Sequence, residues 1–108
     1  MIRDIHSNKE TVTNALYDLE QSIKLCKKQH DKVLMLIVGY GSNSGHHRIK
    51  TAVLEKLKEY KDKNFVKDYI EGSKLDIFDL EYQKFKYKEL ISDEEKRRKN
   101  PGIIYIIC

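Results

Sequence analysis

The sequence predicts one α/β domain over residues 1–108, a two-layer to three-layer sandwich around a mixed sheet, with elements in the order βαβαβ…β. Three observations support this prediction. Residues 33–38 are all apolar, without polar alternation, as expected of a strand that is buried on both faces. On either side of this run, apolar residues repeat at three- and four-residue steps, which is the period of a helix that packs on a sheet. The run at 103–107 is rich in isoleucine, which favours a closing strand.

The first third of the chain predicts a strand, a helix and a second strand. Residues 2–6 form a short strand candidate, in which Asp4 and His6 share one face because side chains alternate along a strand. Residues 7–10 (SNKE) fit a capping box, which predicts the start of the first helix. The apolar stripe of this helix consists of Val12, Ala15, Leu16, Leu19, Ile23 and Cys26. Strands joined by such a helix are expected to be parallel neighbours, since βαβ crossovers are right-handed.

A second helix is predicted from about residue 46 to residue 60. Its apolar stripe consists of Ile49, Ala52, Val53, Leu57 and Tyr60. Residues 64–70 (NFVKDYI) predict the third strand, which ends at the turn residues around Gly72. Because strands and helices alternate in this way, helices are expected on both faces of the sheet.

The segment at about 74–100 is predicted to be a helical insertion before the last strand. Residues 75–90 mix apolar, aromatic and charged side chains, and we expect them to be mostly helical. Residues 92–95 (SDEE) fit a second capping box that opens a short helix ending in basic residues. Asn100, Pro101 and Gly102 then stop this helix, since proline cannot continue it.

Composition and charge limit the classes of function. Charged residues make up 35% and hydrophobic residues 40% of the chain, as in a soluble globular protein. A net charge of +4 and a pI near 9.0 favour a polyanionic partner. Cys26 and Cys108 lack the spacing of a disulfide framework or a metal site, and no stretch approaches the ~20 apolar residues of a membrane span. We therefore expect a cytoplasmic protein without a membrane partner; its oligomeric state is left open.

A glycine-rich loop follows the central strand and predicts a phosphate-binding site. The loop and the helix start after it contain Gly39, Tyr40, Gly41, Ser42, Asn43, Ser44, Gly45, His46, His47, Arg48 and Lys50. Unpaired N–H groups at a helix start favour anions, and the histidines, Arg48 and Lys50 add positive or ionisable groups beside them. Tyr40 is placed either to stack on an unpaired base or to pack over the end of the sheet.

Other interpretations of this loop stay open. A Walker loop requires Lys and Ser or Thr directly after the last glycine, where this chain has His46 and His47. A dinucleotide fingerprint requires its third glycine at residue 44 rather than at Gly45. A purely structural turn, in which glycines serve backbone geometry alone, remains an alternative.

Asp4 and His6 are the candidate catalytic pair. A carboxylate that orients an imidazole near a bound phosphodiester is suited to general acid–base chemistry near neutral pH. The alternative is a structural hydrogen-bonding pair at the end of a strand. Adjacent histidines diverge by roughly 100° on a helix, so His46 and His47 are not expected to chelate one metal. We therefore predict no cofactor and no metal site, although the chemistry leaves room for a divalent cation.

These motifs resemble those of the Smr, or small MutS-related, domain family. Arg3-Asp4-Ile5-His6 is similar to the family's L-D-x-H motif at the Asp and the His. Val38-Gly39-Tyr40-Gly41 is similar to its H-G-x-G motif, with valine in place of the histidine, and the glycine loop is two residues longer before Gly45. The last strand also resembles the family's terminal strand. The likeness covers most of the chain apart from the insertion.

The resemblance implies a sandwich akin to the C-terminal domain of translation initiation factor three, and a protein that binds nucleic acid. In many members it also implies endonuclease cleavage of RNA or structured DNA. Asp4 and His6 would then be catalytic, and Gly39, Gly41 and the helix start would contact phosphates. Because Val38 replaces the family's histidine, a catalytically silent module that binds nucleic acid or the ribosome is the alternative. A binder of small phosphorylated molecules is a third hypothesis.

Overall fold

The computed structural model describes residues 1–5, 11–39 and 46–108, with only the backbone described at residues 46 and 47. The elements are β1 (Ile2–Asp4), α1 (Val12–Lys28), β2 (Val33–Ile37), α2 (His46–Asp62), β3 (Asp68–Glu71), α3 (Leu80–Lys84), α4 (Asp93–Arg98) and β4 (Ile103–Ile107). Two 3₁₀ turns, Gly72–Lys74 and Lys88–Leu90, lie between β3 and α4. The predicted α/β class and the order of strands and helices are confirmed.

The four strands form one mixed sheet in the order β1-β2-β4-β3. β1 and β2 are parallel, and the register places Asp4 opposite Ile37. β4 runs antiparallel to both of its neighbours, with Ile103 opposite Ile37 and Ile104 opposite Glu71. The carboxyl ends of β1, β2 and β3 therefore lie at the same edge of the sheet as the start of β4.

The first face of the sheet is covered by α1 and α2. Leu34 and Leu36 of β2 point to this face, together with Ile104 and Ile106 of β4. The buried helix side chains that meet them are Ala15, Leu19, Ile23 and Cys26 of α1 and Ile49, Val53, Leu57 and Tyr60 of α2. These residues belong to the two predicted stripes, which confirms the faces assigned to both helices.

The second face of the sheet is covered by the segment between β3 and β4. Leu75, Phe85 and Ile91 of this segment are buried against Ile70 and Tyr105 of the sheet. The prediction that residues 75–90 are mostly helical is wrong, since α3 is their one short α-helix. The physical reason is the spacing of the three buried side chains, which are ten and six residues apart and fit no helical period.

The starts of α1 and β3 differ from the predictions, and the predicted start of α4 is confirmed. α1 begins after Thr11, whose Oγ1 accepts a hydrogen bond from the Asn14 N–H (3.2 Å) and so caps this helix, while the capping box expected at residues 7–10 lies outside the described residues. β3 begins at Asp68 instead of residue 64, because α2 extends to Asp62 and Asn64 then has a positive φ of 61°. The second predicted cap is confirmed: Ser92 Oγ accepts from the Glu95 N–H at 3.3 Å.

Candidate functional site

The carboxyl ends of β1 and β2 lie side by side and define the candidate site. The Ile5 N–H donates to the Ile37 carbonyl at 3.0 Å, so the parallel pairing continues to the last described residue after β1. Ile5 and Val38, which directly follow β1 and β2, are both buried. The prediction that the two motif-bearing strands are parallel neighbours is confirmed. We call this edge, with the first turn of α2, the β1–β2 edge.

Asp4 occupies the last position of β1, and its side chain is exposed at this edge. Its predicted partner, His6, lies outside the described residues. The distance between the Asp4 carboxylate and the His6 imidazole therefore stays a prediction, and so does their acid–base role.

Gly39 is held against Gly102, the residue before β4. Its φ is +80°, a conformation that side-chain-bearing residues rarely adopt, and the residue is buried. The N–H groups of Val38 and Gly39 both donate to the Gly102 carbonyl, at 2.8 and 3.3 Å. A Cβ added to Gly102 would lie 3.2 Å from the Gly39 carbonyl carbon, so the two backbones are close. The Gly39 amide is committed to Gly102, and the structural-turn interpretation accounts for this glycine.

The rest of the glycine loop lies outside the described residues. It comprises Tyr40, Gly41, Ser42, Asn43, Ser44 and Gly45. Their contacts with phosphate, and the stacking role of Tyr40, stay predictions. The same holds for the side chains of His46 and His47, which begin α2.

Lys50 is held by the protein itself. Its Nζ lies 3.0 Å from Glu71 Oε1 and donates to the Pro101 carbonyl at 2.9 Å. The side chains of Lys50 and Glu71 are only 16% and 17% exposed, so each needs the other to compensate its desolvation. This ion pair joins α2 to the end of β3 and to the turn before β4. It gives Lys50 a role in the fold that the phosphate-binding prediction did not foresee, and no spacing in the sequence relates it to Glu71.

Arg48 is an exposed cation at this edge. It lies in the first turn of α2, a helix of 17 residues, where the helix dipole favours anions. Arg48 and the start of α2 can therefore accept a phosphate, and Asp4 is exposed at the end of β1, on the side of the strand opposite to the buried Ile5.

The described residues offer neither a metal-binding cluster nor a membrane-spanning helix. Within residues 1–5, 11–39 and 46–108, no group of three or more His, Cys, Asp or Glu side chains is arranged to hold a metal ion. None of the helices in that part of the chain combines the length and the apolar character needed to cross a bilayer.

Comparison with protein-family models, with curated proteins and with solved structures finds no match for this chain.

Proposed function

We propose that this chain is an Smr-like domain that binds nucleic acid at the β1–β2 edge. The observation that supports the proposal is the parallel pairing of β1 with β2, which brings Asp4 opposite Ile37. Two motifs about thirty residues apart in the sequence would have no common surface if their strands were separated in the sheet. We also propose that the fold of this chain is similar to that of the C-terminal domain of translation initiation factor three.

Binding in this proposal is mainly electrostatic. Arg48 contacts a phosphate, and the N–H groups at the start of α2 contribute through the helix dipole. The net charge of +4 attracts the polyanion as a whole. Lys50 supports the site by holding α2 against β3, and we assign it no phosphate contact as long as Glu71 is its partner.

Cleavage in this proposal depends on Asp4 and His6. The Asp4 carboxylate orients the His6 imidazole, which takes or gives the proton of the reacting phosphodiester. The family's second histidine is absent, and the Val38 side chain in its place is fully buried in the core. A second imidazole must then come from His46 or His47, at the start of α2.

The burial of Val38 also favours a second candidate function. A fully buried Val38 offers no proton donor to a phosphodiester, so the chain would bind nucleic acid without cutting it. In this alternative the β1–β2 edge is a docking surface for structured RNA, DNA or the ribosome.

A cleavage and binding panel separates these functions. Labelled single-stranded RNA, hairpin RNA and branched DNA are incubated with the wild-type protein, with His6→Ala, with Asp4→Asn, and with a variant in which His46 and His47 are both alanine. The nuclease proposal predicts that all three variants lose cleavage while RNA is still retained on a filter. Binding without cleavage by the wild-type protein favours the silent module, and absence of binding contradicts both functions.

The chemistry of any cleavage is tested by two further measurements. If the attacking group is a ribose 2′-hydroxyl, a 2′-deoxy substitution at the cut site abolishes cleavage and a chelator has no effect. The reverse pair of results indicates metal-activated water.

A further inference from the structure

The two cysteines of the chain lie together at the end of the sheet opposite to the β1–β2 edge. Cys26 is near the end of α1 and is fully buried, and Cys108 directly follows β4 and is half-buried. Both are free thiols in this structure. Cys108 packs against the core cluster on the first face of the sheet, which contains Cys26. The fold therefore brings together two thiols that most of the sequence separates.

The turn between α1 and β2 positions both cysteines. The Cys26 thiol donates a hydrogen bond to the Asp31 carbonyl at 3.6 Å. The next carbonyl along the chain, that of Lys32, accepts from the Cys108 N–H at 3.0 Å. Side chains alternate along a strand, so the Cys108 side chain lies on the same face as Ile106, which is the face that α1 covers.

The two thiols interact with each other. Burial, and then a hydrogen bond with the Cys26 thiol, raise the pKa of Cys108 to about 12. A disulfide requires the two Cβ atoms to approach within about 4.5 Å, so it forms only between cysteines whose side chains meet. Within residues 1–5, 11–39 and 46–108, no third metal-ligating side chain joins the pair. The chemistry open to the pair is therefore oxidation rather than metal binding.

We propose that Cys26 and Cys108 form a redox-responsive disulfide that ties α1 to the end of β4. In a reducing cytoplasm both residues stay thiols, and the bond forms when a small disulfide such as oxidised glutathione accumulates. The proposal does not depend on the proposed nucleic-acid function, since the pair lies at the other end of the sheet.

Cys108 reacts first because it is the accessible thiol. It lines an open concavity of about 480 Å³ beside the turn between α1 and β2, whereas Cys26 is fully buried. The Cys108 thiolate attacks one sulfur of oxidised glutathione, the S–S bond breaks, and one glutathione leaves as a thiolate. The Cys26 thiol then loses its proton, and its sulfur displaces the second glutathione. The two cysteines lose two electrons, and the oxidant takes up these electrons and both protons as two glutathione thiols.

The disulfide should stabilise the fold because it closes a loop that contains most of the chain and so restricts the unfolded state. We expect the Tm to rise on the order of 10 °C when the bond forms. The two effects are linked in one thermodynamic cycle. The folded chain should therefore form the bond with an equilibrium constant about 100-fold larger than that of the chain in urea.

Titration of the wild-type chain with mixtures of reduced and oxidised glutathione tests the proposal, each mixture being held until the thiol content is constant. Both thiols should be lost together, the mass should fall by two hydrogen atoms, and the chain should stay monomeric on a non-reducing gel. The matched controls are Cys26→Ala and Cys108→Ser. Neither can close the bond, so neither should gain stability over its own reduced form.

The same titration can overturn the proposal. A folded wild-type chain that keeps both thiols in oxidised glutathione overturns it, as does a chain that ends with bound glutathione or a cross-link to a second copy. An internal disulfide that leaves the Tm unchanged or lowers it, or that forms as readily in urea as in the folded chain, also overturns it. In that case the folded structure does not favour the bond.

Discussion

Replacing Lys50 with methionine distinguishes its role in the fold from a role in binding phosphate. Methionine keeps most of the aliphatic side chain but removes the ammonium, so the Glu71 carboxylate and the Pro101 carbonyl lose their partner. Breaking a fully buried ion pair costs about 3–5 kcal/mol, and a hydrogen bond to a charged group about 1.5–3 kcal/mol. Because Glu71 remains 17% exposed, water can replace part of the loss, and we expect the free energy of unfolding to fall by about 2–3 kcal/mol.

Urea denaturation followed by circular dichroism measures this loss, with a decrease in Tm of roughly 10 °C as an independent check. The control is the double variant Lys50→Met/Glu71→Met. It removes both charges, so its stability should lie within about 1 kcal/mol of the wild type. RNA affinity, measured at a temperature where Lys50→Met is folded, should change less than threefold. If the variant instead keeps wild-type stability and loses RNA binding, the structural role of Lys50 is refuted and Lys50 contacts phosphate.

Three further substitutions test other parts of the fold by the same urea assay. Gly39→Ala should cost about 1–2 kcal/mol because φ is +80° there, and a cost near zero would contradict the conformation. Gly72→Ala should cost about 1–3 kcal/mol or more, since its Cβ would overlap the Asn100 carbonyl oxygen and force the backbone to move. Tyr105→Phe removes the 2.6 Å hydrogen bond from Tyr105 Oη to the charged Glu95 Oε2 and should cost about 1.5–3 kcal/mol. Burial, and then the hydrogen bond to Glu95, raise the pKa of Tyr105, so the native state binds the proton more tightly than the unfolded chain. Wild-type stability should therefore fall above about pH 10 more steeply than that of Tyr105→Phe, by up to about 1.4 kcal/mol per pH unit, and parallel curves would contradict this.

Much of the sheet and the first helical layer could be predicted because their signals are local. β2 and β4 are short apolar runs with clear ends, and the bounds of the observed strands match these runs closely. The stripes of α1 and α2 repeat with the helical period, so the buried face could be read without knowing what covers it.

The parts that could not be predicted depend on contacts distant in the sequence. Residues 75–91 pack against the second face of the sheet. The spacing of their buried side chains, such as Phe85 and Ile91, is set by that face and not by a helical period. Lys50 looks like any other basic residue near a helix start until the fold brings Glu71 and Pro101 to its ammonium. The N–H of Gly39 donates to Gly102, far along the chain, and the glycine spacing of the loop does not indicate this contact.

The most direct test of the β1–β2 edge as a nucleic-acid surface is the salt dependence of RNA binding by Arg48→Ala. The matched control is Lys58→Ala, which removes one exposed positive charge from the same helix, away from the edge. Logarithms of the binding constants for a labelled single-stranded RNA are plotted against the logarithm of salt concentration. We predict that Arg48→Ala weakens binding and reduces the slope by about 0.7, the value for one phosphate contact, while Lys58→Ala keeps the wild-type slope. Equal slopes for the two variants, or no binding by the wild-type protein, would contradict the account.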